Sequence, residues 1–339
     1  MKTKVIVAAS AALAALMLGV AIGSVGIAPG DVLRIIGHKV FGMGLAEGIK
    51  PTTVTILWNL RLPRALLAFI AGGALSVSGA VMQSVLRNPL ASSYTIGVSS
   101  GASFGACLVI LYGVTIPLIG SLTLPLVGFA FGLGTIVLAI SFASRLDRNM
   151  ENNTIILVGM VFSLFVNAVT TLMSALSKEH MQRLIYWQMG SFSMKDWQAV
   201  YTLAPILAVG AAFVLYFNRE LDMMTFGEEQ AKTMGVDLKR VKWTLLIAAA
   251  AITGSAIAFV GIIGFVDLVA PHIVRKVFGS SHRVVIPVSV LVGGAFMVVC
   301  DLVARTVASP SELPVGAVTA LVGAPFFAYV YFSRRARRC

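Results

Sequence analysis

Residues 59–93 read NLRLPRALLAFIAGGALSVSGAVMQSVLRNPLASS, and this stretch decides the fold. Between Arg64 and Arg87 lie 22 residues without a charge, about the number a helix needs to cross the hydrocarbon core of a bilayer. Arg61 and Arg64 crowd one end of the run, and Arg87, Asn88 and Pro89 close the other. Pro disfavours helix for the residue before it, so the run ends there. Asn88 is suited to capping the helix that follows.

The same texture fills the chain. Of 339 residues 58% are hydrophobic and only 12% charged, with a mean hydropathy of +0.91, whereas a soluble domain carries about a quarter charged residues. This composition specifies a polytopic membrane protein, and its 32 glycines suit membrane helices packed backbone to backbone. Backbone in lipid must satisfy its own hydrogen bonds, so the spans are helices and the fold is all-α, a single transmembrane domain over 1–339. Ten apolar runs are long enough: about 5–27, 62–86, 92–113, 117–144, 154–177, 197–217, 243–262, 264–278, 284–307 and 313–332. The eighth is short and its neighbour is open to being broken rather than straight. The first exceeds 20 residues, too long for the roughly 7–15 of a signal peptide core, and reads as a retained span.

With the N-terminus inside, 17 of the 26 basic residues fall on the inner side and 9 outside, which predicts both termini in the cytoplasm. The net charge of +12 then reflects juxtamembrane anchoring to anionic lipid rather than nucleic-acid binding, the terminal RRARRC included. Two segments lie off the membrane. The outer one, about 28–61, has the apolar spacing of a short surface helix in APGDVLRIIGHKVFG. The inner one, about 218–242, reads as one or two short helices broken at Gly227 and Gly235. AFIAGGALSVSGAVM in the second span and LIAAAAITGSAIAFV in the seventh share small residues and run in opposite directions, a weak echo of an inverted repeat.

Chemistry-bearing motifs are absent. No G-x-x-x-x-G-K-[ST] loop occurs, so the chain does not cradle a nucleotide phosphate itself. The four histidines are dispersed, with His272 an interfacial packing or hydrogen-bonding residue rather than a metal ligand. Cys107, Cys300 and Cys339 have no disulfide or metal-site spacing. Asp301 and Arg305, four apart with acid before base, form a structural pair. No series of carboxylates crosses the membrane, which disfavours an ion-coupled carrier but leaves one open, since a single Asp could suffice.

Three ordered stretches resemble one family. LRLPRALLAFIAGGALSVSGAVMQSVLRNPLASSYTIGVSSGASFGA (60–106), FVGIIGFVDLVAPHIVRKVFGSSHRVVIPVSVLVGG (259–294) and DLVARTVASPSELPVGAVTALVGAPFFAYVYF (301–332) are similar to type II ABC importer permeases for iron(III)-siderophores, haem and cobalamin. The resemblance implies ten helices, a homodimer or close heterodimer with the pathway at its interface, two cytoplasmic ATP-hydrolysing subunits and an extracytoplasmic binding protein. It implies no cofactor and no catalytic residue in this chain, and a place in the bacterial plasma membrane. It assigns docking of the binding protein to Arg61, Arg64 and Arg305, the cytoplasmic gate to Asn88, Pro89 and Leu90, and ATPase coupling to Gly227, Glu228, Glu229, Ala231 and Gly235. The implied cargo is an iron chelate, with a corrinoid as the alternative. Two positions depart from the family's usual pattern: Ser92-Ser93 stand where it has Asp-Pro, and Asp267 where it has Gly.

Overall fold

The computed structural model describes residues 2–23, 26–44, 48–117, 120–147, 149–176 and 178–336. Arg148, Arg337, Arg338 and Cys339, counted above, lie outside the described residues. The end of the bundle that carries residues 28–50 is here the upper end, and the end that carries 218–237 the lower. α1 (Lys2–Ala21) rises, and α2 (Pro29–Phe41) sits at the upper end as the expected short helix, with Val32 and Ile35 buried. α3 (Pro51–Thr55) passes through a π-helical turn (Ile56–Arg61) into α4 (Leu62–Val85), which descends. α5 (Val98–Tyr112) rises, α6 (Thr123–Leu146) descends and α7 (Asn152–Leu176) rises. α8 (Lys178–Gln188) packs on α5, and α9 (Trp197–Tyr216) descends to the lower loop, formed by α10 (Asn218–Phe226) and α11 (Glu228–Thr233). α12 (Leu238–Val260) rises, α13 (Val266–Phe278) descends, α14 (His282–Thr306) rises and α15 (Val315–Ala336) descends.

Each expected span thus meets a helix. Among the described residues seven are long and apolar enough to cross a membrane, counting α3 to α4 as one. α5 and the apolar part of α15 are shorter, and α13 has only 13 residues.

Two boundaries need correction. The helix of the second span starts at Pro51, inside the segment expected to be an outer loop. Pro63 lacks the N–H that would bond residue 59; the chain widens into a π turn just before it and continues instead of stopping. The third span starts at Val98 rather than 92, and Asn88 does not cap it. Its Oδ1 accepts instead from Leu90 N at 2.9 Å, closing a local turn.

α4 is the centre of the bundle. Every residue from Ala71 to Val85 is buried, and the helix packs on α1, α9, α12, α13 and α14. Its small residues permit this. A Cβ on Gly72 would lie 2.3 Å from Gly293 O of α14, and one on Gly79 would lie 1.9 Å from Asp267 O of α13. Membrane helices gain nothing from hydrophobicity relative to lipid, so such close backbone approach is what holds them.

The faint sequence echo has a structural counterpart. α4 is followed by an irregular stretch, the short α5, then α6 and α7; α12 is followed by an irregular stretch, the short α13, then α14 and α15. The two series run in opposite directions, the arrangement of an inverted repeat.

Gly79→Val should therefore destabilise severely, beyond the 1–3 kcal/mol or so of ordinary overpacking, because the obstructing atom is backbone. Gly134→Ala, with nothing within 4 Å of the new Cβ, should be neutral or slightly stabilising. Thermal unfolding in detergent compares them, and equal melting temperatures would contradict this packing.

Candidate functional site

The two irregular stretches meet inside the bundle. The Ser92 hydroxyl donates to the Asp267 carboxylate, and the Tyr94 hydroxyl donates to Ile263 O while accepting from Ile263 N at 3.3 Å. Beside them the Ser93, Ser78 and Thr253 hydroxyls bond one another at 2.6–3.0 Å, and Ser78 donates to Ala249 O at 2.9 Å. Ser78 is seven residues, about 10 Å, above the lower end of α4. Non-helical backbone at such depth is tolerated only where protein encloses it, and here side-chain hydroxyls satisfy it. The two positions that depart from the family pattern, Ser92 and Asp267, touch each other.

At the upper end the three arginines expected to dock a partner all turn inward. Arg61 is 6% exposed and donates to Ala21 O at 3.1 Å and to Val20 O at 3.4 Å. Arg305 donates to Gly19 O and lies 3.6 Å from Asp301. Arg64, its side chain 12% exposed, forks onto Asp301 at 2.8–3.1 Å and onto Glu312 at 2.7 and 3.1 Å. The cause of this inward turn is local. α1 ends here with carbonyls that have no partner in the helix, and guanidinium groups satisfy them. The expected Asp301–Arg305 pair exists, but Arg64 holds Asp301 more closely. Glu312 is the outermost member, 38% exposed, and the Arg64 guanidinium beside it holds its carboxyl below the usual carboxylate range. That contact is fully formed at neutral pH and yields only when pH falls below the ordinary glutamate value.

At the lower end two residues of the expected gate, Asn88 and Pro89, lie in one cleft with Glu228 of the expected coupling segment. Leu86, Arg87, Asn88, Pro89, Glu151, Asn152, Asn153 and Glu228 line one cleft of about 460 Å³. Gly227, at φ 138°, turns the chain between α10 and α11 in a conformation that other residues rarely adopt. Glu228 does not simply face the dipole of α11. It pairs at 2.8 Å with Lys242, which is fully buried and also donates to Met150 O at 2.7 Å. Glu229 and Gly235 are exposed, as is Leu90, whereas Ala231 is buried, although a site outside the membrane was expected to tolerate a large side chain there. Its side chain packs into the main core as α11 seats against α12.

Several polar residues that the sequence did not single out complete the lower half: Asp222, His282, Ser84, Arg275 and Gln83. Their only signal was position: Asp222 lies in the lower loop, and the other four lie at or near the end of an apolar run. His272, by contrast, packs against the rings of Phe326 and Phe327 at 6.4 and 6.2 Å, as an interfacial residue would.

The model of the FecCD transport family matches residues 11–333. The chain is 40% identical over 315 residues to an uncharacterized ABC transporter permease protein of Bacillus subtilis, YvrB, covering 93% of this chain and 89% of that one. It is 39% identical to the cobalamin import system permease protein BtuC of Halobacterium salinarum, over 86% of this chain and 78% of that one. A metal-chelate type ABC transporter solved in an inward-facing conformation superposes with a TM-score of 0.85 at 27% identity, covering 98% of this chain and 100% of that one. A helical bundle around a buried α4, polar breaks between its helices and a sequence without a nucleotide loop agree with these likenesses: the chain belongs to the FecCD transport family and is a non-catalytic, multi-pass permease subunit of an ABC importer, whose ATP is hydrolysed on separate subunits.

Proposed function

We propose that this permease imports an iron(III) chelate, a siderophore or haem, with its lower end in the cytoplasm and its upper end receiving a binding protein. Two copies, or one copy and a close paralogue, would enclose the pathway and rest on two ATPase subunits. The observation that carries this reading is the lower cleft, where the Asn88-Pro89 turn and Glu228 of α11 share one wall. A displacement of α11 by a motor would reach the turn directly. The chelate reading is supported by relatives named for iron(III) citrate and haemin and by the metal-chelate type neighbour. The corrinoid reading is kept because a cobalamin permease is 39% identical. The ligand that co-purifies with the partner binding protein distinguishes the two: a ferric chelate supports the first and a corrinoid overturns it.

The orientation follows from the basic asymmetry. In intact cells an impermeant thiol reagent should label Lys50→Cys and spare Gly235→Cys. Labelling of the second would reverse the topology.

Coupling is tested at Glu229, because Ala231→Arg would disrupt the fold. Glu229→Arg should leave the melting temperature unchanged and lower ATPase retention in pull-down by about tenfold, the scale of a lost charge-assisted contact. Full retention would remove α11 from the interface.

Docking at the upper end is proposed to occur by exchange: a carboxylate of the binding protein takes the place of Glu312 on Arg64, whose planar fork suits it. Removing Arg64 would leave the buried Asp301 only its longer contact with Arg305, a loss of up to about 3–5 kcal/mol, so Glu312→Gln is the sharper probe. It should raise the association rate several-fold at low salt and lose that advantage at high salt. An unchanged rate would confine the arginines to capping α1.

A further inference from the structure

Five side chains join the lower loop to the break inside the membrane. Asp222 of α10 accepts from His282 N at 2.8 Å and meets the His282 ring at Nδ1. A carboxylate has no hydrogen to give, so Nδ1 carries it; Nε2 hydrogen-bonds with the Ser84 hydroxyl at 2.6 Å, and that hydroxyl also lies 2.9 Å from Ala80 O of its own helix. Ser84 of α4 accepts from Arg275 of α13 at 3.0 Å. The same guanidinium donates to Ala80 O at 2.9 Å and to Gln83 Oε1. The Gln83 amide donates to Asp267 O at 3.1 Å, and the Asp267 carboxylate holds Ser92. The line runs through α10, α14, α4 and α13 without a gap.

We propose that Asp222, His282, Ser84, Arg275 and Gln83 are positioning residues for transport, which carry a displacement of the ATPase-facing loop to the Ser92–Asp267 contact and so to the turn at Asn88. The proposal rests on the reading of residues 218–242 as the ATPase-facing segment. Three features make the line suited to transmitting motion. Arg275 lies two turns below Asp267 on the same face of α13, so α13 is pinned to α4 at both its ends. Above Val266 the helix does not continue, because 261–264 is irregular, so α13 can move as one piece with its anchors. Ser92, on the stretch that follows the turn, is tied to α13 through the Asp267 carboxylate. Buried polar groups keep their partners or change them as a set, which favours two discrete arrangements over gradual deformation.

The test uses the full permease assembled with its ATPase and binding protein in lipid nanodiscs, its three cysteines replaced and a reporter placed by Leu90→Cys, at an exposed position. ATP should change the rate at which a thiol reagent labels the reporter. Gln83→Met keeps the volume of the side chain and removes both of its bonds. It should leave ATP hydrolysis within about twofold of the parent and the melting temperature close to it, while the ATP-dependent change in labelling falls at least fivefold. His282→Phe should do the same from the other end of the line. An ATP response that survives Gln83→Met overturns the proposal. So does a parallel fall of hydrolysis, labelling response and melting temperature, because the line would then be only structural. If the parent's ATPase is retained in full despite Glu229→Arg, the reading of the lower loop fails, and this proposal with it; the first two results leave that reading standing.

Discussion

Backbone inside a bilayer has no water to bond, and this chain breaks two of its helices there. Each break exposes amide and carbonyl groups that must be paired within the protein. The first stretch pairs much of its backbone within its own turns, and side chains join the two. Residues 88–97 and 261–265 lie against each other, with Tyr94 bonded to Ile263 and Ser92 to Asp267. Much else follows from that meeting. α13 must come close enough to α4 for Asp267 to sit on residue 79, which only glycine allows. α5 and α13 must both be short, and the polar side chains that serve them must come from α4 and α12, the two most buried long helices. The inverted order of elements around the breaks gives each half of the bundle one such short helix.

The upper end obeys the same rule in a different form. α1 stops at Ala21, and its last carbonyls lose their partners within the helix, Ile27 N reaching that of Ala21 at 3.1 Å. Arg61 and Arg305 reach them, and Arg64 with Asp301 and Glu312 balances the charge. A cluster that is cationic in sequence is therefore nearly neutral in space. Under the docking proposed above, permease assembly and partner binding would draw on the same arginines, with Glu312 the point of exchange.

The membrane character and the number of helices were legible because hydropathy is set by each segment on its own. Gly227 and Gly235 were legible as breaks for the same reason, since positive φ is a local demand. What escaped were facts about pairs distant in sequence. Arg61 read as an outward-facing charge because nothing local reveals that α1 ends beside it, 40 residues earlier. Asn88 read as a cap because the length of the irregular stretch after it depends on Asp267 and Ile263, far along the chain. Ala231 read as a solvent position because its burial is created by α11 seating against α12. Ser92 and Asp267 each stood out as unusual for the family, but only the fold brings them into contact.

The two breaks form a single enclosed unit, joined by Tyr94 on Ile263 and by the Ser92–Asp267 contact. Hydrogen–deuterium exchange of the permease in nanodiscs measures it most directly. The amides of residues 92–98 and 262–268 should exchange as slowly as those in the middle of α4, and Tyr94→Phe together with Ser92→Ala should speed both stretches in step. Fast exchange in the parent, or acceleration of one stretch without the other, would contradict it.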